Sequence, residues 1–305
     1  MDVRVLDLDG SITAQDDLLE SCEPVIHDLR AWGPAIRMGC RFRRFDRFSR
    51  DLARRIALEQ EPRPRLTFYG SGDFHHVSLA LLRQMREPFN LLVLDKHPDW
   101  MRWVPVMHCG TWLYHAARLP QVKQIFHAGG DLDFDNAYRL LAPWRNLRSG
   151  NIAVFPAIRT FGTGNWRDIA HEPLRPNPAT KVTAGRLAEL LHPYREVLAS
   201  RPLYVSLDKD VLVEKFAAVN WDSGHLELDE VHAILGAFTR ACNHRLIGMD
   251  IVGDWSAVQM QGAFRKVLDW TEHPPLRLTA RAACASNQRT NMDLVGRIKD
   301  LKVKS

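Results

Sequence analysis

Nothing in these 305 residues has the length and apolarity of a membrane span. The opening MDVRVLDLDG interleaves acids with apolar residues, so no secretory signal is expected there. Cysteine is sparse. The five residues (Cys22, Cys40, Cys109, Cys242, Cys284) show no CxxC spacing, which excludes a disulfide scaffold or a zinc knuckle and fits a reducing cytoplasm. Repeats, low-complexity tracts and linker-like composition are also missing, so one domain over 1–305 is expected. What remains is an ordinary globular composition, 46% hydrophobic and 25% charged, sufficient for a large core.

The net charge of +5 is mild but locally concentrated. RFRRFDRFSRDLARRIALEQ (41–60) alternates arginine with phenylalanine. Phe42, Phe45, Phe48, Leu52 and Ile56 recur at helical spacing, which predicts an amphipathic helix with solvated arginines rather than a nucleic-acid surface.

Short apolar runs at 3–10, 65–72, 89–97, 122–130, 151–158, 202–210 and 245–252 read as strands. Helical patterns such as 77–85 and 228–242 lie between several of them. The alternation predicts an α/β fold: a three-layer, doubly wound, mostly parallel sheet of about eight strands. Ligands of such sheets bind beyond the carboxyl ends of the strands. There the sequence places Asp7 and Asp9, then Asp73, His75 and His76, then Asp95, His97 and Asp99, then Asp208 and Asp210, and finally Asp250.

LLVLDKHPDW (91–100) shows the pattern most sharply, with Asp95, His97 and Asp99 at every second position. On extended backbone these point to one side. Such a cluster is costly unless a cation sits among it. With Asp208, Asp210 and one histidine of GSGDFHHVS (70–78), the donors are rich in oxygen, which favours Mn²⁺ over zinc. Four carboxylates suit two ions better than one.

These motifs resemble those of the ureohydrolase family of arginases and agmatinases. GSGDFHHVS is similar to GGDHS, DKHPD (95–99) to DAHxD, and SLDKD (206–210) to SxDxD, in the same order. CGTW (109–112), DVLVEKF (210–216), GHLELDE (224–230) and GMDIV (248–252) are further echoes of HGT, DVLDPxF, GGLTYRE and the strand that follows. The resemblance runs from about Thr67 to Val252. It implies a hydrolase of linear guanidino or amidino C–N bonds, with two Mn²⁺ ions and a bridging hydroxide. It further implies that Asp95 and Asp208 bridge the ions, that His75 (in preference to His76) and Asp99 complete one site, and that His97 and Asp210 complete the other. The implied partner is a small guanidino or amidino compound, with neither nucleic acid nor membrane; self-association stays open.

The departures fall on the substrate side. Gly253 stands where the family has its guanidinium-binding glutamate, and Cys109 replaces the histidine of HGT, with His108 just before it. Asp222 and Asp254 are the candidate substitute clamps, and His108 the candidate proton shuttle. Rapid turnover of arginine or agmatine is therefore not expected. The alternatives are hydrolysis of another amide-like substrate, a metal-binding relative without catalysis, and a phosphatase. The last rests on VLDLDGSIT (5–13), which resembles the DxDGT motif, with Asp7 as nucleophile and Asp9 as acid; a capped first strand is the preferred reading. GGDLDFDN (129–136) lacks the glycine and distant glutamate of an EF-hand. Trp100, Trp103, Trp112, Trp221 and Trp255 lie near the motifs and are expected mainly to pack.

Overall fold

The computed structural model describes residues 2–57, 65–130, 137–158, 170–259, 273–275 and 278–303. Eight strands form one sheet: β1 (Asp2–Asp7), β2 (Val25–Asp28), β3 (Arg65–Phe68), β4 (Phe89–Leu94), β5 (Val122–Ala128), β6 (Ile152–Phe155), β7 (Leu203–Asp208) and β8 (Leu246–Val252). Their order is β2-β1-β3-β8-β7-β4-β5-β6, and every pairing is parallel. The expected parallel sheet is therefore the one observed. Its central strands are apolar for a direct reason. All six side chains of β4 and all six of β7 are buried, because helices cover both faces.

Alternate residues of one strand feed two separate cores. Leu92 and Leu94 of β4 pack with Leu187, Ile234, Phe238 and Leu294, from helices Ala184–Leu191, Leu228–Ala241 and Ala280–Val303. Leu91 and Val93 face the other way, toward Phe45, Phe48, Val77 and Trp112 of the opposite layer. This is the period of two expressed as three layers.

Three details depart from the sequence expectations. An eighth strand, β2, joins the edge; it is short and carries exposed Val25 and Ile26, so it lacks the apolar run that marks its neighbours. In the helix Phe42–Ala57, Phe45, Phe48 and Leu52 are buried while Phe42 is 37% exposed, so the apolar stripe begins a turn later than predicted. Asp250 does not end its strand but lies inside β8, fully buried.

Topology explains why the chemistry gathers where it does. The chain leaves β3, skips two positions to form β4, and later returns to fill the gap with β7 and β8. The carboxyl ends of β3, β8, β7 and β4 thus lie side by side at the place where the winding reverses.

Candidate metal centre

The turn after β4 brings Asp95, His97 and Asp99 out of the sheet, and the neighbouring turn after β7 brings Asp208 and Asp210. One backbone donor joins the two turns, and one more closes each turn on itself. Lys96 N donates to Asp210 Oδ1 (3.0 Å), His97 N to Asp95 Oδ1 (2.7 Å) and Asp210 N to Asp208 Oδ1 (3.0 Å). His75 follows a single 3₁₀ turn, Gly72–Phe74, beyond β3. Its Nδ1 lies 3.0 Å from Asp99 Oδ2, 3.1 Å from Asp95 Oδ2 and 3.5 Å from Asp208 Oδ2. His97 Nδ1 lies 2.7 Å from Asp210 Oδ2 and 4.0 Å from Asp95 Oδ1. Two groups able to hold a cation result, His75–Asp95–Asp99 and Asp95–His97–Asp210, and Asp95 belongs to both.

One proton on His75 cannot serve three carboxylates. The Nδ1 of His75 and Oδ2 of Asp95 are buried, yet neither is settled in a regular hydrogen bond. Buried polar atoms are rarely left so. Oxygen donors with two imidazoles, converging on atoms lacking good partners, fit two hard divalent ions.

The residues behind the donors hold them in position. Ser206 Oγ donates to Asp250 Oδ1 (2.7 Å), so it accepts from the Nε2–H of His75 (3.0 Å) and turns the Nδ1 lone pair toward the carboxylates. Asp250 Oδ1 also accepts from Tyr69 (2.9 Å) and Ser78 (3.0 Å). Asp99 adopts a left-handed backbone (φ +49°), an uncommon state for a non-glycine residue, and its Oδ2 is held by Trp112 Nε1 at 2.8 Å. The sequence reading passed over these supports. Ser206 and Asp250 stood in quoted motifs, but only tertiary contact joins them to His75.

His76, the alternative ligand, packs against Phe45 instead, with ring centroids 5.8 Å apart. Asp73, two residues before His75, is bound by Arg37 Nε (2.6 Å), His273 Nε2 (2.8 Å) and Trp221 Nε1 (3.0 Å). Burial opposes its charge, but Arg37 and His273 hold the carboxyl well below its usual range. Trp221 in turn lies edge-on to His97, 5.4 Å between centroids, and so forms a wall of the site.

The substrate-side expectations fare differently. Asp254 is not available as a clamp. It is fully buried, paired with Lys209 Nζ (2.8 Å), and accepts from Gln15 Nε2 (2.7 Å) and Asn291 Nδ2 (3.1 Å). Lys209, also fully buried, leaves the DKD motif away from the carboxylates to reach it. Asp222 is exposed, next to Trp221. His108 Nδ1 accepts from Gly110 N (3.0 Å), and Cys109 Sγ lies 3.5 Å from that nitrogen. Cys109 is buried; burial and the charges of Asp99 and Asp73 push its thiol well up. Asp7 accepts from Arg30 Nε (2.7 Å), Gly10 N (2.9 Å) and Thr13 Oγ1 (3.2 Å). Asp9 accepts from Ser11 N (3.0 Å), Ser71 N (3.1 Å) and Ser256 Oγ (2.7 Å), and so pins three loops together. Asp7 is thus held by the turn that follows β1 and by Arg30, and Asp9 by that turn and two distant loops. Asp131, Asp133 and Asp135 lie outside the described residues.

Without metal, protons take the place of cations. Burial opposes charge on His97, but Asp210, with help from Asp95 and Asp99, raises it to about 10. His75 is likewise raised well above its ordinary value: burial opposes the charge, and the adjoining carboxylates of Asp95 and Asp99 outweigh it. A raised histidine stabilises fully below its unfolded value of about 6.5, and that contribution is lost as pH climbs through the folded value. The chelated protein is therefore expected to melt at progressively lower temperature from about pH 6.5 to about pH 10. The change from His97 is muted, because 35% of its side chain reaches solvent. Metal uptake over the same range should release protons and tighten with pH. Scanning calorimetry across that range checks this; a flat or rising melting temperature in chelator contradicts it.

A sequence model described as the arginase family matches residues 71–253, a span that contains the five residues of the two cation-holding groups and Asp208 beside them. An uncharacterized protein of Thermotoga maritima is 22% identical over 189 residues, 62% of this chain. The chain spans 58% of the length of that curated relative. Among solved structures, arginase from Bacillus subtilis superposes with a TM-score of 0.58 at 12% identity, covering 98% of this chain and 97% of that one. Proclavaminate amidino hydrolase from Streptomyces clavuligerus gives 0.51 at 17%, over 95% and 92% of the two chains. Agmatine ureohydrolase of Thermoplasma volcanium gives 0.51 at 11%, over 99% and 90%. The structural likenesses show the shared fold: an eight-stranded parallel sheet between helices. With the family model covering well over half of its length, the chain belongs to the arginase family.

Proposed function

We propose that the protein is a binuclear manganese hydrolase that cleaves a C–N bond in a guanidino or amidino compound. The observation that carries the reading is His75 Nδ1 facing three carboxylate oxygens at 3.0–3.5 Å, with the His97–Asp210 pair alongside. Asp95 and Asp208 would hold the metals together with His75 and Asp99 on one side and His97 and Asp210 on the other. When bound, two such ions supply Lewis acidity and a water of lowered pKa.

The chain's own residues do the rest. Ser206 and Trp112 hold His75 and Asp99 in their ligating orientation, and Trp221 restricts water beside His97. His108, beside Cys109 where the family carries HGT, is assigned to passing a proton to the leaving amine. Asp222 is the carboxylate left to orient a cationic substrate, since Asp254 is bound to Lys209. Positioning supplies much of the rate in such reactions, so an exposed carboxylate in place of the family's glutamate implies slow turnover of free arginine and agmatine.

The test is urea or amine release from a panel of guanidino and amidino compounds by manganese-loaded protein. Turnover of at least one compound is expected, abolished by Asp208→Ala and weakened at least tenfold by Asp222→Ala. A fully loaded protein that hydrolyses none of the panel would leave the metal-binding reading without its catalysis.

Restoring the family's glutamate is not expected to restore arginine turnover. Gly253 has φ +99°, and a Cβ there would sit 2.4 Å from Asp208 Oδ1 and 2.7 Å from Lys209 N. A left-handed glycine tolerates this approach and other residues do not. Gly253→Glu is therefore expected to displace Asp208 and lower metal content, read by atomic absorption; a stable, fully loaded variant with brisk arginase activity would contradict it.

A further inference from the structure

The helix Phe42–Ala57 buries Phe45, Phe48 and Leu52, and its outer side is cationic. Arg47, Arg50 and Arg54, spaced i, i+3 and i+7, fall on one stripe. With Trp32 and Asp51 they line a cleft of about 410 Å³, a volume in the range of small-ligand sites. All three arginines are exposed, and among the described residues none has a hydrogen-bond or carboxylate partner. The single acid in the cleft is already committed: Asp51 Oδ2 accepts from Trp32 Nε1 (2.9 Å) and Arg55 Nε (3.2 Å). Trp32 is also fixed edge-on against Phe48, 5.7 Å between centroids, so the indole is a firm wall. Like charges three and four residues apart weaken a helix. Three of them on one concave surface amount to a standing positive field with no counter-ion among the described residues.

We propose that this cleft binds a nucleoside di- or triphosphate, with its phosphates across Arg47, Arg50 and Arg54 and its base against Trp32. Guanidinium forks match phosphate oxygens two at a time. Arg47 and Arg54 are roughly 10 Å apart along the helix axis, a span suited to a chain of phosphates rather than a single one. The indole offers a planar base the stacking surface that aromatic residues commonly provide. None of the cleft residues belongs to the candidate metal centre.

Isothermal titration of the full chain tests this, with ATP, inorganic triphosphate, adenosine and a single-stranded oligonucleotide as ligands. Chelator and about 150 mM salt exclude binding through the metal centre and suppress loose ionic attraction. ATP is expected to bind most tightly, triphosphate more weakly, and adenosine not measurably. Arg50→Gln should weaken ATP at least tenfold, whereas Arg43→Gln, the same charge change outside the cleft, should not. Trp32→Leu should bring ATP down to the affinity of triphosphate. Thermal melts confirm that each variant is folded. ATP binding that is absent, or equal in Arg43→Gln and Arg50→Gln, overturns the site. Triphosphate matching ATP, with Trp32→Leu silent, overturns the nucleoside. Oligonucleotide binding without ATP binding replaces it with a nucleic-acid surface.

Discussion

Asp95→Ala is expected to empty both metal positions at once. The carboxylate belongs to both candidate groups, lying 3.1 Å from His75 Nδ1 on one side and 4.0 Å from His97 Nδ1 on the other. Its loss would also leave His97 N without its acceptor, loosening the turn that carries His97 and Asp99. Asp99→Ala and His97→Ala are expected to weaken mainly one ion each, because each serves a single group. The parent, dialysed against manganese, should retain about two ions per chain; Asp95→Ala should retain close to none, and C–N hydrolysis should fall to background. Metal content by mass spectrometry together with thermal melts decides the matter. An Asp95→Ala protein holding the parent's complement of manganese would sink the shared-ligand assignment.

The second large effect concerns a charge that never meets substrate. Lys209 and Asp254 form an ion pair with both side chains fully buried, closed by Gln15 and Asn291. Burial pushes the Lys209 amine down, and Asp254 pulls against that shift. Asp254→Ala leaves a cation in the core with, among the described residues, only Asn291 Oδ1, 3.0 Å away, as acceptor. Breaking one side of such a pair costs about 3–5 kcal/mol. At about 2–4 °C per kcal/mol the melting temperature should fall by the order of 10 °C. The double variant Lys209→Met/Asp254→Leu removes both charges and is expected to melt above Asp254→Ala, since a buried pair replaced by apolar groups is often nearly neutral. Equal melting temperatures for Asp254→Ala and the parent would show that the amine finds water or another partner.

The two effects mark the boundary between what is legible in the sequence and what is not. Alternating strands and helices, the parallel sheet and the six clustered ligand candidates were determined by sequence alone. Each depends on a local regularity: the apolar runs of buried strands, or side chains two apart on a chain leaving the sheet. The preference for His75 over His76 rests on the family resemblance, and the tertiary structure supplies a physical reason for it: His75 Nδ1 faces the carboxylates, whereas His76 packs against Phe45. Only the tertiary structure brings in Ser206 and Asp250 behind His75, which lie 131 and 175 residues away in the chain but touch through adjacent parallel strands. Asp254 looked like a free carboxylate beside Gly253. Its fate was settled by Lys209, Gln15 and Asn291, whose approach depends on how the first and last helices close over the sheet. Local spacing decides which face a side chain takes. Only long-range packing decides what is waiting there, because a buried charge is defined by partners that sequence distance does not reveal.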